Sequence, residues 1–277
     1  MRISSPEMAE MNMDSTSAVA AAAPGVEERA RQSQGVSANE IHQMLERALE
    51  GRNISGGCFV DVGCGTGNLF HQVRDRFARY VGVDAVRYEA FPSQAEFCYL
   101  DLDTGRIPLP DGSGDVVAAI EVIEHLENPR DFMRKLVRLA APGGWVVAST
   151  PNQLSLLSLG MLIFKQRFLA FQDVHYPTHL TALLEIDLRR IAAECGLSKI
   201  GIEYSCAARI PFTDRLYPRW ISRRWPRLFS ENVLVIGQRE RNNITNDITN
   251  NATNNAAREP AGRGLEPAGR GLEKDNE

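Results

Sequence analysis

Between residues 37 and 240 the spacing of hydrophobic positions switches back and forth between a helical period and short continuous runs. Ile41, Met44, Leu45 and Ala48 form one helical stripe within Ser37–Leu49, closed by Gly51, and Ser37 with Glu40 reads as a capping box. Cys58–Val62 is a short apolar run, followed by a glycine-rich turn and a stripe of Leu69, Phe70, Val73 and Phe77. Tyr80–Val83 and Phe97–Leu100 read as the next strands, and Val116–Ile120 as a buried one. Phe132, Met133, Leu136, Val137 and Ala140 predict a helix ended by Pro142-Gly143-Gly144, with Trp145–Ser149 as a strand after it. Leu184, Leu188, Ile191 and Cys195 predict a helix stopped by Gly196, and Ile200–Tyr204 with Val233–Ile236 a closing pair of strands. Continuous apolar strands alternating with amphipathic helices predict an α/β fold: a parallel, doubly wound sheet with helices on both faces.

The flanks break this rhythm. Residues 1–36 are rich in Ser, Ala, Met and Glu without a sustained period. Residues 241–277 hold an Asn/Thr run, Asn242–Asn255, and a tandem repeat, Glu259–Leu265 and Glu266–Leu272. Both flanks bury too little apolar surface to offset ordering entropy and are expected to be disordered, leaving one domain over 37–240. In the 277-residue chain, 31 Lys and Arg face 35 Asp and Glu, a net charge of −4 that argues against a dedicated nucleic-acid coat. The five cysteines form no CxxC pair, so neither a disulfide framework nor a zinc ribbon is expected, and a reducing cytoplasm is. No run approaches the roughly 18 apolar residues of a membrane span. Glu7, Glu10 and Asp14 occupy the place of a signal peptide's positive region.

In doubly wound sheets, ligands sit at the carboxyl ends of the strands. The first such end reads Val60-Asp-Val-Gly-Cys-Gly-Thr-Gly67, in which Gly63, Gly65 and Gly67 permit a sharp turn onto a helix N-terminus. Asn68 stands where a dinucleotide fingerprint needs its last glycine. Asp61, at the strand end, would repel a pyrophosphate but suits an ammonium group. Asp84 ends the second strand, where a carboxylate can accept bonds from both ribose hydroxyls, and Asp101-Leu102 ends the third, where an acid can accept from an adenine amino group. A lone GxGxG is a weak signal; acids at three successive strand ends make a much stronger one.

These segments, together with Ile107–Asp115, Glu121-Val-Ile-Glu-His125 and Pro142-Gly-Gly144, resemble the class I S-adenosylmethionine-dependent methyltransferases over roughly residues 37–240. The resemblance implies a Rossmann-like seven-stranded sheet with an antiparallel C-terminal hairpin, and S-adenosylmethionine as cofactor. By the same resemblance Asp61 and the glycines hold the methionine end, Asp84 the ribose, and Asp101 with Leu102 the adenine, with Glu121 lining the pocket. Gly114 departs from the pattern, since relatives usually carry an aromatic residue before Asp115.

Methyl transfer from a sulfonium is an in-line displacement, so most of the enzyme's work is positioning. A hydroxyl acceptor also needs its proton removed or its oxygen polarised. The candidate group is Glu121, Glu124 and His125, which would share one face if that turn were helical. Two carboxylates and an imidazole suit Mg²⁺, Mn²⁺, Fe²⁺ or Zn²⁺, with His175 or His179 as a further ligand. Without a metal, His125 or His179 is the candidate general base. Glu-x-x-Glu-His also resembles the element of ubiquinone-pathway O-methyltransferases and of small-RNA terminal 2′-O-methyltransferases, both thought to place a metal there. His42 and His71 read as surface residues.

Two segments should shape the acceptor side. Leu154–Phe171 is apolar, broken only by Lys165, Gln166 and Arg167, where the fold commonly carries a lid. Residues 210–229 interleave five arginines with Tyr217, Trp220, Trp225 and Phe229, which suits a membrane interface, an anionic substrate or RNA. Asp173–Leu180 and the helix ending in Cys195-Gly-Leu197 also resemble methyltransferases of bacterial glycan clusters. The expected acceptor is an oxygen on a small molecule, quinone-like or lipid-linked, with peripheral membrane contact through 210–229. RNA is the second substrate class and a non-catalytic cofactor-binding scaffold the third; DNA is not expected.

Overall fold

The computed structural model describes residues 35–102 and 105–241. The expectation of disordered flanks therefore falls, apart from Gly35, Val36 and Arg241, outside the described residues.

Seven strands form one sheet in the order β3-β2-β1-β4-β5-β7-β6. They are β1 (Cys58–Val62), β2 (Arg79–Asp84), β3 (Glu96–Tyr99), β4 (Gly114–Ala119), β5 (Ala140–Pro151), β6 (Leu197–Tyr204) and β7 (Asn232–Arg239). The first five run parallel, whereas β7 pairs antiparallel with both β5 and β6. The helices are α1 (Asn39–Glu50), α2 (Asn68–Val73), α3 (Pro129–Leu139), α4 (Leu156–Lys165), α5 (Glu185–Glu194) and α6 (Arg219–Arg224). The order reverses at β1, which is flanked by β2 and β4, so the crevice beyond the carboxyl ends of these strands is the natural ligand site.

Alternation along the strands builds two cores. Val60 and Val62 of β1 pack with Phe132, Met133 and Leu136 of α3 and Leu188 and Ile191 of α5 on one face. Phe59 faces the other way and packs with Ile41, Met44, Leu45 and Leu49 of α1 and with Phe70, Phe77 and Tyr80. Period 2 in the strand and 3.6 in the helices thus meet as the sequence predicts. Among the described residues no helix is long and apolar enough to cross a membrane.

Local readings need correction at four places. Ser37 does not cap α1, which starts after Ala38 with no side-chain cap, because residues before it are drawn onto the glycine loop. Helix α2 ends before Phe77, since Ala78 and Arg79 must turn back to the Gly57 carbonyl to enter β2; Phe77 is nonetheless buried against Phe59. Pro142-Gly143-Gly144 does not end α3, which stops at Leu139. It lies within β5 at a register irregularity opposite β4, where Gly143 has φ +85°. The missing aromatic at Gly114 leaves no gap, because Val117 and Val60 already lie about where a Cβ would have to go, at 2.9 and 3.0 Å.

Candidate active site

The loop after β1 is shaped by its neighbours. Gly63 has φ +78°, and a Cβ there would lie 2.3 Å from Val122. Gly65 has φ +51°, and a Cβ would lie 2.2 Å from the Gly35 carbonyl oxygen, which takes hydrogen bonds from the Thr66 amide at 3.0 Å and hydroxyl at 3.1 Å. The approach to α1 is thereby laid across the loop. Asp84, at the end of β2, accepts from the Gly65 amide at 2.8 Å and from the Val86 amide at 3.1 Å. Asp61 accepts from the Tyr80 phenol at 2.5 Å.

A cavity of about 700 Å³ opens at these strand ends. Asp61, Gly63, Gly65, Asp84, Asp101, Leu102 and Glu121 all line it, as does Glu124 with His125, His175 and His179. Gly67 is not in the wall and serves as the left-handed N-cap of α2, φ +77°. The single arginine in the wall, Arg209, is paired with Glu231 at 3.0 Å. Asp61 and Asp84 are therefore buried, and no arginine or lysine of the wall is left to pair with them. Burial raises the Asp61 carboxyl to about 7, opposed by the Tyr80 hydrogen bond and reinforced by Asp84. Burial raises Asp84 as well, opposed by its amide donors. A ligand bringing an ammonium group and hydroxyl donors would satisfy these carboxylates, which fits S-adenosylmethionine.

The Glu-x-x-Glu-His segment divides. Glu121 has a left-handed backbone, φ +56°, and its carboxylate accepts from the Ser149 hydroxyl at 3.0 Å and the Asn232 amide at 2.9 Å. Burial raises it to about 7 against those two donors. Ile123–His125 is a single 3-10 turn, so the shared helical face expected for 121, 124 and 125 does not form. Instead, Glu124, His125 and His179 come together, each offering a ligand atom within 4.8 Å of the others. Glu124 is fully buried, and its carboxylate oxygens make no well-formed hydrogen bond among the described residues, with only weak contacts from its own amide and the Thr150 hydroxyl. Burial, then the charge of Glu121, pushes its carboxyl well above the usual range.

His125 Nδ1 lies 2.8 Å from the Thr178 carbonyl and His179 Nδ1 2.6 Å from that of Ala170. A carbonyl can only accept, so both Nδ1 atoms carry the proton, and the Glu121 main chain also contacts the His125 ring. Burial, then His179, lowers His125 to about 4, and burial lowers His179. His175 stacks on His179 with ring centroids 5.4 Å apart, and its Nδ1 accepts from the Gln172 amide at 3.3 Å, outside the trio. His42 corrects a sequence expectation: it is buried, lines the cavity and bonds Gln72 at 3.0 Å, whereas His71 is exposed. Sequence reasoning also missed Tyr80, Ser149, Asn232 and Arg209, which act through contacts remote along the chain.

An acid-lined crevice at the reversal point of this sheet defines a class I methyltransferase fold. Residues 30–206 match the family model of a methyltransferase domain, and the chain belongs to that family. A "Probable S-adenosylmethionine-dependent methyltransferase" of Mycolicibacterium smegmatis is 31% identical over 118 residues, 42% of this chain and 44% of that protein. The ubiquinone biosynthesis O-methyltransferase of Albidiferax ferrireducens is 32% identical over 127 residues, 41% of this chain and 50% of that protein. The chain thus spans about half the length of these curated relatives. A SAM-dependent methyltransferase of Thermotoga maritima superposes with a TM-score of 0.51 at 14% identity, over 72% of this chain and 91% of its own. One of Archaeoglobus fulgidus gives 0.50 at 18% identity, over 72% and 94%. These two likenesses speak to fold alone.

Proposed function

We propose that the protein transfers the sulfonium methyl group of S-adenosylmethionine to an oxygen of a hydrophobic acceptor, quinone-like or lipid-linked. One observation carries this reading: the buried acids of the cofactor end and the Glu124–His125–His179 trio line a single cavity. A methyl donor held by Asp61, Asp84, Asp101 and Leu102 is thus brought to a cluster able to act on a hydroxyl. The likeness to ubiquinone biosynthesis O-methyltransferases supports oxygen as the acceptor atom.

Asp61 ionises as it meets the cofactor's ammonium group, and Asp84 orients the ribose. The trio fits a divalent cation, because Glu124 is buried without a well-formed hydrogen bond and each imidazole, anchored at Nδ1 by a carbonyl, belongs to a set of ligand atoms within 4.8 Å of one another. Bound there, such an ion would supply Lewis acidity that lowers the pKa of the acceptor hydroxyl. Glu121 is held aside by Ser149 and Asn232 and shapes the wall between the two halves. His125, neutral at physiological pH, presents a lone pair for ligation or for receiving the hydroxyl proton.

The test is methyl-labelled cofactor incubated with the protein and a cell extract divided into lipid, RNA and water-soluble small-molecule fractions. Label that appears as a base-stable methyl ether in the solvent-extractable fraction supports the proposal. Label confined to RNA, or to nitrogen or carbon, overturns it.

A further inference from the structure

Helix α4 leaves much of its apolar surface exposed. Its sequence, Leu156–Lys165, is almost wholly apolar, yet Ser158 is its single buried residue. The Ser158 hydroxyl accepts the Leu169 amide at 3.2 Å, so the buried polar group is satisfied. Ile163 and Phe164 are 75% and 84% exposed, and Leu156 and Leu162 are exposed too. Scattered apolar residues on a surface are ordinary; several on one short helix mark a contact face.

A second exposed group adjoins the start of this helix. The Leu156 amide donates to the Leu228 carbonyl at 2.8 Å, and the Asn152 side chain to the Arg227 carbonyl at 2.8 Å. The segment so fastened, 210–229, exposes Trp220, Trp225 and Leu228. It holds five arginines against one acid, Asp214, in a chain whose net charge is −4. Arg215, Arg219, Arg223 and Arg224 pair with no carboxylate among the described residues, and the Arg224 guanidinium lies 5.4 Å from the Trp225 ring centre. Residues 154–171 add Lys165 and Arg167 and contain no acid.

We propose that α4 and residues 210–229 form one face that docks on an anionic bilayer. The apolar side chains of α4 and the two tryptophans enter the interface, and the unpaired arginines meet lipid phosphates. Charge complementarity selects this occupant. An RNA would use the arginines but has no use for Ile163, Leu162 and Leu156, which offer no ring to stack on a base. A second copy would cover the apolar residues but set arginine against arginine. The proposal does not depend on which atom is methylated. It does give an acceptor embedded in lipid a short route, since Leu169 and Ala170, just beyond α4, line the cavity.

The experiment is flotation of the full chain with phosphatidylcholine vesicles, with and without about one-third phosphatidylglycerol. Binding is expected with the anionic vesicles and not with phosphatidylcholine alone, and it should fall as salt rises. Ile163→Glu with Phe164→Glu, and separately Arg223→Glu with Arg224→Glu, should each weaken it about tenfold or more. Circular dichroism and cofactor affinity should stay unchanged in both variants, showing that the fold is intact. A full chain that does not float, or reversed-charge variants that float like the parent, would overturn the proposal. So would a dimer, seen by light scattering, that Phe164→Glu disperses in a protein that ignores vesicles. Retention of a single-stranded RNA probe without flotation would overturn it in favour of nucleic acid. None of these results bears on whether the labelled methyl group reaches an oxygen, so the two proposals fail separately.

Discussion

The rings of His125 and His179 meet edge to face with centroids 4.8 Å apart, each anchored through Nδ1 to a main-chain carbonyl. The two residues lie on different loops, yet each brings a ring nitrogen within 4.8 Å of the buried Glu124 carboxyl. Two carbonyl-anchored imidazoles and a buried acid are the donor set proposed above for a divalent cation.

Calorimetric titration with Mn²⁺ or Zn²⁺ should therefore find one site per chain. Glu124→Ala and His179→Ala should each abolish it, whereas Glu121→Gln should retain it because that carboxylate is bonded to Ser149 and Asn232. Equal loss in all three variants would show that Glu121 ligates after all.

Cofactor affinity should depend on pH through Asp61. Its carboxyl stands at about 7 in the ligand-free protein, and a cationic ligand favours the ionised form, so binding expels a proton below that pH. Affinity should rise with pH, by at most about tenfold per unit, and level off above 7. Asp61→Asn should weaken binding and flatten the curve. Tyr80→Phe removes the bond that lowers this carboxyl and should move the midpoint upward.

The same shift has the opposite sign for stability. Between the unfolded value of 3.8 and about 7, the folded protein holds a proton that the unfolded chain has released. Stability of the ligand-free protein should therefore fall as pH rises through that window, by roughly 4 kcal/mol at most. Melting curves of the parent and of Asp61→Asn across the range check this, since only the parent should lose that component.

Asp84→Ala should cost about 100-fold or more in cofactor affinity. It removes both the ribose acceptor and the hydrogen bond that holds the Gly65 amide, each worth about 1.5–3 kcal/mol when the acceptor is charged. Gly65→Ala should destabilise the protein by about 2 kcal/mol, because φ is positive and the new Cβ would strike the Gly35 carbonyl. Calorimetry and denaturant unfolding measure the two effects. Unchanged affinity in Asp84→Ala would remove the cofactor map.

The cofactor half of the site was legible because its signals are local. An acid at a strand end and glycines in the following turn need no knowledge of distant contacts. Glu124 and His125 were legible as chemistry, but their separation from Glu121 was not. Nothing near Glu121 marks a left-handed backbone, and its Asn232 partner lies 111 residues downstream. His42 read as a surface residue because it lies off the apolar stripe of α1, and its burial depends on Gln72 in another helix. Leu154–Phe171 read as apolar, but composition says nothing about which side chains of a helix face outward, and the exposure of Leu162, Ile163 and Phe164 shows only in the structure.

The position of β7 has a consequence for biosynthesis. It is the last of the described strands to be made, yet it sits between β5 and β6, and among the described residues β6 has no other neighbour in the sheet. A chain emerging from the ribosome thus carries β6 unpaired until Asn232–Arg239 has cleared the exit tunnel. Asn232 also donates to the Glu121 carboxylate, so that hydrogen bond forms only then. The cofactor loop, β1 and β2 are translated more than 100 residues earlier. The glycine loop and the strand-end acids are thus made well before the strand that carries the partner of Glu121.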